Sequence, residues 1–185
     1  MADPVTRHAA RIATLVALPL VAVIALGSVW IFGGFGGGDP PVPPATTSAA
    51  TSAVTLPAPS LAADVVGVCR DVVSALPGAV GPRQRRPVTG PEQNAAYGDP
   101  PVTLACGVPA HPVAPTEDLT QLSGVCWATV TAADRTEWTT VDRRVPVRVT
   151  VPGPAAGSAQ IVIAFTPAIS GHSPVAATVP TGCTG

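Results

Sequence analysis

The sequence has no lysine and little charge of either sign. All ten basic side chains are arginine, and charged residues make up 11% of the 185. Aromatics are rarer still at 4%, with a single tyrosine, whereas proline occurs 23 times. So little charge beside so much proline is unusual for one compact globule and points to a chain built of unlike segments. The Ala, Pro, Val, Thr and Arg bias is that of high-GC coding, so a lone alanine or arginine carries little weight.

Missing motifs exclude whole classes of chemistry. There is no C-x-x-C, and the nearest cysteines, Cys106 and Cys126, stand twenty apart. That spacing fits neither a zinc ribbon nor a dithiol redox site. G-x-S-x-G, H-E-x-x-H and a phosphate-cradling glycine loop are all absent. Neither His111 nor His172 has a ligand partner at helical or strand spacing, and both fall in loop-like sequence. No metal, cofactor or catalytic centre is therefore expected. A triad of Ser123, His111 and Asp118 can be drawn, but any chain of this length permits one. A cleft joining His111 or His172 to a carboxylate would speak for an enzyme; their separation would speak against it.

Charge is wholly absent from residues 12–32. As a helix at ~1.5 Å per residue, that stretch spans about 30 Å, the hydrocarbon thickness of a bilayer. Pro19 is tolerated in such a setting. Arg7, His8 and Arg11 precede the stretch and Asp39 is the first charge after it, so residues 1–11 are expected in the cytoplasm and the rest outside. A cleaved signal peptide would have a shorter apolar core and small residues where Trp30, Ile31 and Phe32 stand. No cysteine follows closely, which excludes a lipoprotein.

Residues 33–60, GGFGGGDPPVPPATTSAATSAVTLPAPS, have no hydrophobic period and almost no charge. They read as a spacer, flexible where Gly-rich and extended where Pro-rich. Thr46, Thr47, Ser48, Thr51 and Ser52 have the composition of O-glycosylated stalks.

Residues 61–185 hold all four cysteines: Cys69, Cys106, Cys126 and Cys183. An even number outside the membrane reads as two structural disulfides. In SLAADVVGVCRDVVSALPG, Leu61, Val65, Val68, Val72 and Leu76 recur at helical steps, with Cys69 and Val73 on the flank; Ser60 suits the N-cap and Pro77-Gly78 the stop. VPVRVTV, residues 145–151, alternates as a strand buried on one face, with Pro146 at its start or on an edge. SGVCWATVTAADRTEWTTV reads as a hairpin that sets Trp127 opposite Trp138 if TAAD is the turn. With so few aromatics, that pair reads as core; the sharper alternative is a platform for a sugar ring. PVTLACGV reads as a strand launched from the turn at Gly98, Asp99 and Pro100. SAQIVIAFTPAIS has both helical spacing and a β-branched run, and leans to helix, with Thr166-Pro167 able to restart a turn.

Two arginine clusters, Arg83/Arg85/Arg86 and Arg143/Arg144, are candidate sites for an anionic wall polymer, lipid headgroups or an acidic protein, or else solvated loops. From Gly33 onward there are eight Arg against ten Asp and Glu, which excludes nucleic acid as an expected partner.

VCRDVVSALPG, QRRP, AYGDPPVTLACGVP, LSGVCWATV and WTTVDRRVPVRVTVP, followed by an apolar segment, resemble an actinobacterial family of membrane-anchored proteins catalogued as domain of unknown function 3515. The resemblance covers most of residues 61–180 and rests chiefly on the first cysteine and the YGDPP…ACGVP block. It implies pairing of Cys69 with Cys106, which leaves Cys126 with Cys183, a pair the simplest members lack. It also implies a single-pass protein with its domain outside the membrane. Members often lie beside a D-alanine–D-alanine ligase gene, which implies envelope biology without naming a role.

The expected architecture is α+β: a small antiparallel sheet packed by an N-terminal and a C-terminal helix, disulfide-stapled, behind a single transmembrane helix, with a small β-sandwich as the alternative. The expected role is non-catalytic: a membrane-anchored envelope protein, held through residues 12–32, whose outer domain binds a protein partner or wall component. A cell-wall-acting hydrolase or transferase, and a purely structural spacer-borne module, are the alternatives.

Overall fold

Alternation of valine with wetter residues places the segment Val147–Pro152 in the middle of the domain. Val145, Val147, Val149 and Val151 are all buried while Arg148 and Thr150 are only partly covered. A computed structural model of the chain describes residues 52–183. Its strands are β1 (Val54–Thr55), β2 (Ala79–Val80), β3 (Arg83–Arg86), β4 (Val88–Thr89), β5 (Asn94–Tyr97), β6 (Val102–Cys106), β7 (Thr120–Leu122), β8 (Val125–Thr131), β9 (Arg135–Thr140) and β10 (Val147–Pro152). Three short helices accompany them: α1 (Ala63–Ser74), α2 (Ser158–Ile163) and α3 (Thr166–His172).

Eight strands form one sheet in the order β2-β3-β5-β6-β10-β9-β8-β7, and every pairing within it is antiparallel. This corrects the expected architecture. The sheet is the body of the domain, not a small sheet packed by an N-terminal and a C-terminal helix, and the helices are short additions to it. The basic run and the segment before Tyr97 contribute strands that composition hides, because their residues are polar or small. The transmembrane part of the expectation has no counterpart here. No helix among the described residues is long and apolar enough to cross a membrane, and residues 12–32 lie outside them.

One face of the sheet makes the main core. Register aligns Tyr97 with Val102, Ala95 with Leu104, Leu104 with Val149, and Val149 with Trp138. Cys69, Val72, Val73 and Leu76 of the α1 segment, with Val162 of α2 and Phe165 and Ile169 beside it, complete this core. Tyr97 and Phe165 meet at a ring-centroid distance of 5.3 Å. Fully burying side chains of this size stabilises by roughly 1.5–3 kcal/mol each before entropy is charged against it. Cys69 lies at the centre of the buried α1 face, not on its flank, and the helix starts at Ala63 without a side-chain cap from Ser60. The segment 158–172 is helical, as two short pieces with Thr166 and Pro167 opening the second.

The β8–β9 hairpin has a different register from the expected one. Trp127 pairs with Thr140 and Trp138 with Thr129, so the tryptophans are diagonal neighbours on one face. Both are buried, and Trp138 Nε1 donates to Ser158 Oγ at 3.0 Å. A sugar-stacking platform is thereby excluded.

The two disulfides work on opposite faces. Cys69–Cys106 joins α1 to β6 on the main core face. Cys126 is one residue before Trp127, hence on the other face, where Cys126–Cys183 ties down the C-terminal segment. Part of the expected spacer, residues 52–60, belongs to this same compact unit. β1 pairs in parallel with β4, and Leu56 and Pro59 carbonyls accept from Asn94 and Gln93.

Candidate functional site

The arginine clusters are divided by strand alternation. In β3, Arg85 faces the helices and donates to the Val73 carbonyl at 3.0 Å. Its neighbour Arg86 points the opposite way and donates to Gly98 O, Ser52 O and Ser52 Oγ, with Asp99 3.9 Å away. Arg83 packs along Gly98, where an added Cβ would lie 2.6 Å from Arg83 Cγ and where a φ of +69° favours glycine. The expected basic run is therefore a structural strand, and two of its three guanidiniums clamp the chain's own backbone. Arg143 is buried and donates to Gly124 O, Ser173 O and Asp142 Oδ2. Only Arg144 of that pair is exposed. The two clusters do not supply five free cations for an anion.

Arg86 instead straps Ser52, at the start of the segment 52–60, onto the domain. Arg86→Ala is expected to speed proteolytic cleavage within that segment several-fold, while the midpoint of global unfolding falls only slightly. Limited proteolysis with mass mapping checks this. Ser52, the one described residue among the glycosylation candidates, is held by this strap.

Polar groups converge elsewhere, in a cleft of about 570 Å³ between the β6–β7 loop and the segment leading to Cys183. One wall carries His111, Val113, Pro115 and Glu117; the other carries Thr178, Val179, Pro180 and Thr181. A turn builds the charged corner. The Glu117 N–H donates to the Ala114 carbonyl at 3.0 Å, with Pro115 at the first central position, where its fixed φ suits a turn. The carboxylate folds back, so that Oε2 accepts from the Ala114 N–H at 3.1 Å. Oε1 lies 2.7 Å from His111 Nε2. An ionised carboxylate only accepts, so Nε2–H is the donor of this pair, and a neutral ring would keep a lone pair on Nδ1. The Ala114 N–H holds the Glu117 carboxyl below its ordinary range; partial desolvation opposes this, and the His111 bond and charge reinforce it. Both side chains remain about one-fifth exposed, at 19% and 22%.

A family model described as "Protein of unknown function (DUF3515)" matches residues 15–178. The chain belongs to the DUF3515 family. No curated protein and no solved structure matches it. In this DUF3515 chain both disulfides follow the pairing that the resemblance implied, Cys69–Cys106 and Cys126–Cys183.

The histidines part company. His111 reaches a carboxylate in a cleft, whereas His172 ends α3 in solvent and is not among the residues lining it. The triad does not assemble: Asp118 and Ser123 are exposed and outside the cleft lining, and the carboxylate that His111 meets is Glu117. Sequence reading passed over Glu117. The available signal was A-P-T-E, a Pro-initiated turn whose fourth residue can bond back to the first. Among the described residues no group of three His, Cys, Asp or Glu side chains is placed to hold a metal ion.

Proposed function

We propose that this DUF3515 protein is a non-catalytic binding protein of the cell envelope, held at the membrane through the apolar segment 12–32. Its outer domain receives a protein partner or wall component in the His111–Glu117 cleft. The observation that carries this reading is the cleft itself. Its volume of about 570 Å³ falls in the range of small-ligand sites, and its polar corner is held in place by a turn and a hydrogen bond. Two disulfides suit an oxidising compartment and favour the extracytoplasmic side. A photoreactive residue placed in the full chain at Val113 or Val179 is expected to capture the occupant in cells, while one at exposed Val130 captures none. Capture from Val130 but not from the cleft positions would overturn the reading.

A cell-wall hydrolase or transferase is the second reading, and one observation favours it. His111 is oriented by Glu117 with Nδ1 left as a base, an arrangement that can take a proton from a hydroxyl or water. Release of soluble fragments from purified wall material by the wild-type chain, lost in Glu117→Gln, would establish that reading over simple binding.

A further inference from the structure

The chemistry of the cleft walls points to what the ligand must carry. Of the residues lining the cleft, only His111 and Glu117 are titratable, and with Glu117 ionised and the His111 ring neutral both present acceptors. A carboxylate has about four lone-pair sites. Two on Glu117 are taken, by Ala114 N–H and His111 Nε2–H, so half its accepting capacity is open. The His111 ring adds the Nδ1 lone pair.

Donors are scarce. Pro115 and Pro180 bring no N–H to the walls. The N–H groups of Ala114 and Glu117 are already spent within their own turn. The Thr178 hydroxyl can serve either way. No arginine lines the cleft, so the carboxylate has no fixed counter-cation there. The remaining surface is small and aliphatic: Val113, Leu119, Val141 and Val179. An anion would meet a like charge and no arginine, and a neutral hydrocarbon would leave the carboxylate desolvated without a partner.

Resting on the binding reading above, we propose that the cleft recognises a protonated primary amine on a short aliphatic frame, with the ammonium on the Glu117 carboxylate and His111 Nδ1. Such a group belongs to the terminus of a peptide or to an aliphatic diamine alike. Charge complementarity commits the site to the cation, and the aliphatic walls limit the frame around it.

Three probes of one shape test this on the full chain: isobutylamine, isobutanol and isobutyrate, each titrated while the His111 ring proton signals are followed by NMR. Isobutylamine is expected to shift those signals saturably, at least about tenfold more tightly than isobutanol, as for hydrogen bonds to a charged acceptor. Isobutyrate is expected to leave them in place. Glu117→Gln, which keeps an oxygen for the Ala114 N–H, should weaken the amine about tenfold. Equal affinity for amine and alcohol, preference for isobutyrate, or an unchanged amine affinity in Glu117→Gln overturns the cation assignment and leaves the cleft as a binding site. Absence of any shift with all three probes overturns the binding reading as well. The wild-type series alone decides the charge preference, whatever the variant does to folding.

Discussion

Replacing Cys69 and Cys106 together by alanine is expected to lower the unfolding free energy by about 4 kcal/mol in the chain-entropy treatment of cross-links. The bond spans a sequence separation of 37, so its loss frees a long loop in the unfolded chain. Whole domains are stable by only about 5–15 kcal/mol, so the variant is expected to be largely unfolded well below the wild-type transition. Both cysteines are fully buried, and the bond is the covalent link between α1 and the sheet. The double variant is the right test, since a single replacement leaves a buried thiol free to react. Urea unfolding by circular dichroism, compared with wild type under non-reducing conditions, measures the effect. A loss under about 1 kcal/mol would mean that α1 is held to the sheet by apolar packing alone.

Arg143→Ala is the second large effect, at about 3–5 kcal/mol of lost stability, because removing one member of a buried ion pair leaves the other uncompensated. Arg143 and Asp142 retain side-chain exposures of only 5% and 9%. The guanidinium also satisfies carbonyls at Gly124 and Ser173, so one side chain joins the β7–β8 turn to the segment after α3. An isolated β-bridge from Arg143 to Val175 runs along the same contact. The neighbouring Arg144→Ala, at an exposed position, is expected to stay within about 0.5 kcal/mol of wild type. Thermal unfolding of the pair separates a structural arginine from a surface one. Equal effects from both would refute the assignment.

Both predictions concern residues whose role was only partly visible in one dimension. The helical spacing of Val65, Val68, Val72 and Leu76 and the alternation of valines from 145 to 151 were legible, because each pattern reports a single buried face. The β3 strand was not. Its residues, Arg-Gln-Arg-Arg, have no apolar member, and only pairing with β2 and β5 makes them a strand. The hairpin register was two residues off because the turn was placed by composition alone, and both candidate turns keep the tryptophans on the buried face. Glu117 went unnoticed for a related reason: its partner is local, but its meaning depends on a wall sixty residues further along.

Alone, the sequence determined the local periods, the even set of cysteines and the family. These depend on residue type and short spacing, which the linear order preserves. Only the tertiary structure decided that the sheet has eight strands, that neighbouring arginines serve opposite faces, and that His111 meets Glu117 rather than Asp118. The physical reason is the same in each case. Backbone pairing and the direction of a side chain are set by partners distant in sequence, and a charged residue reads alike whether it will face water or a buried carbonyl.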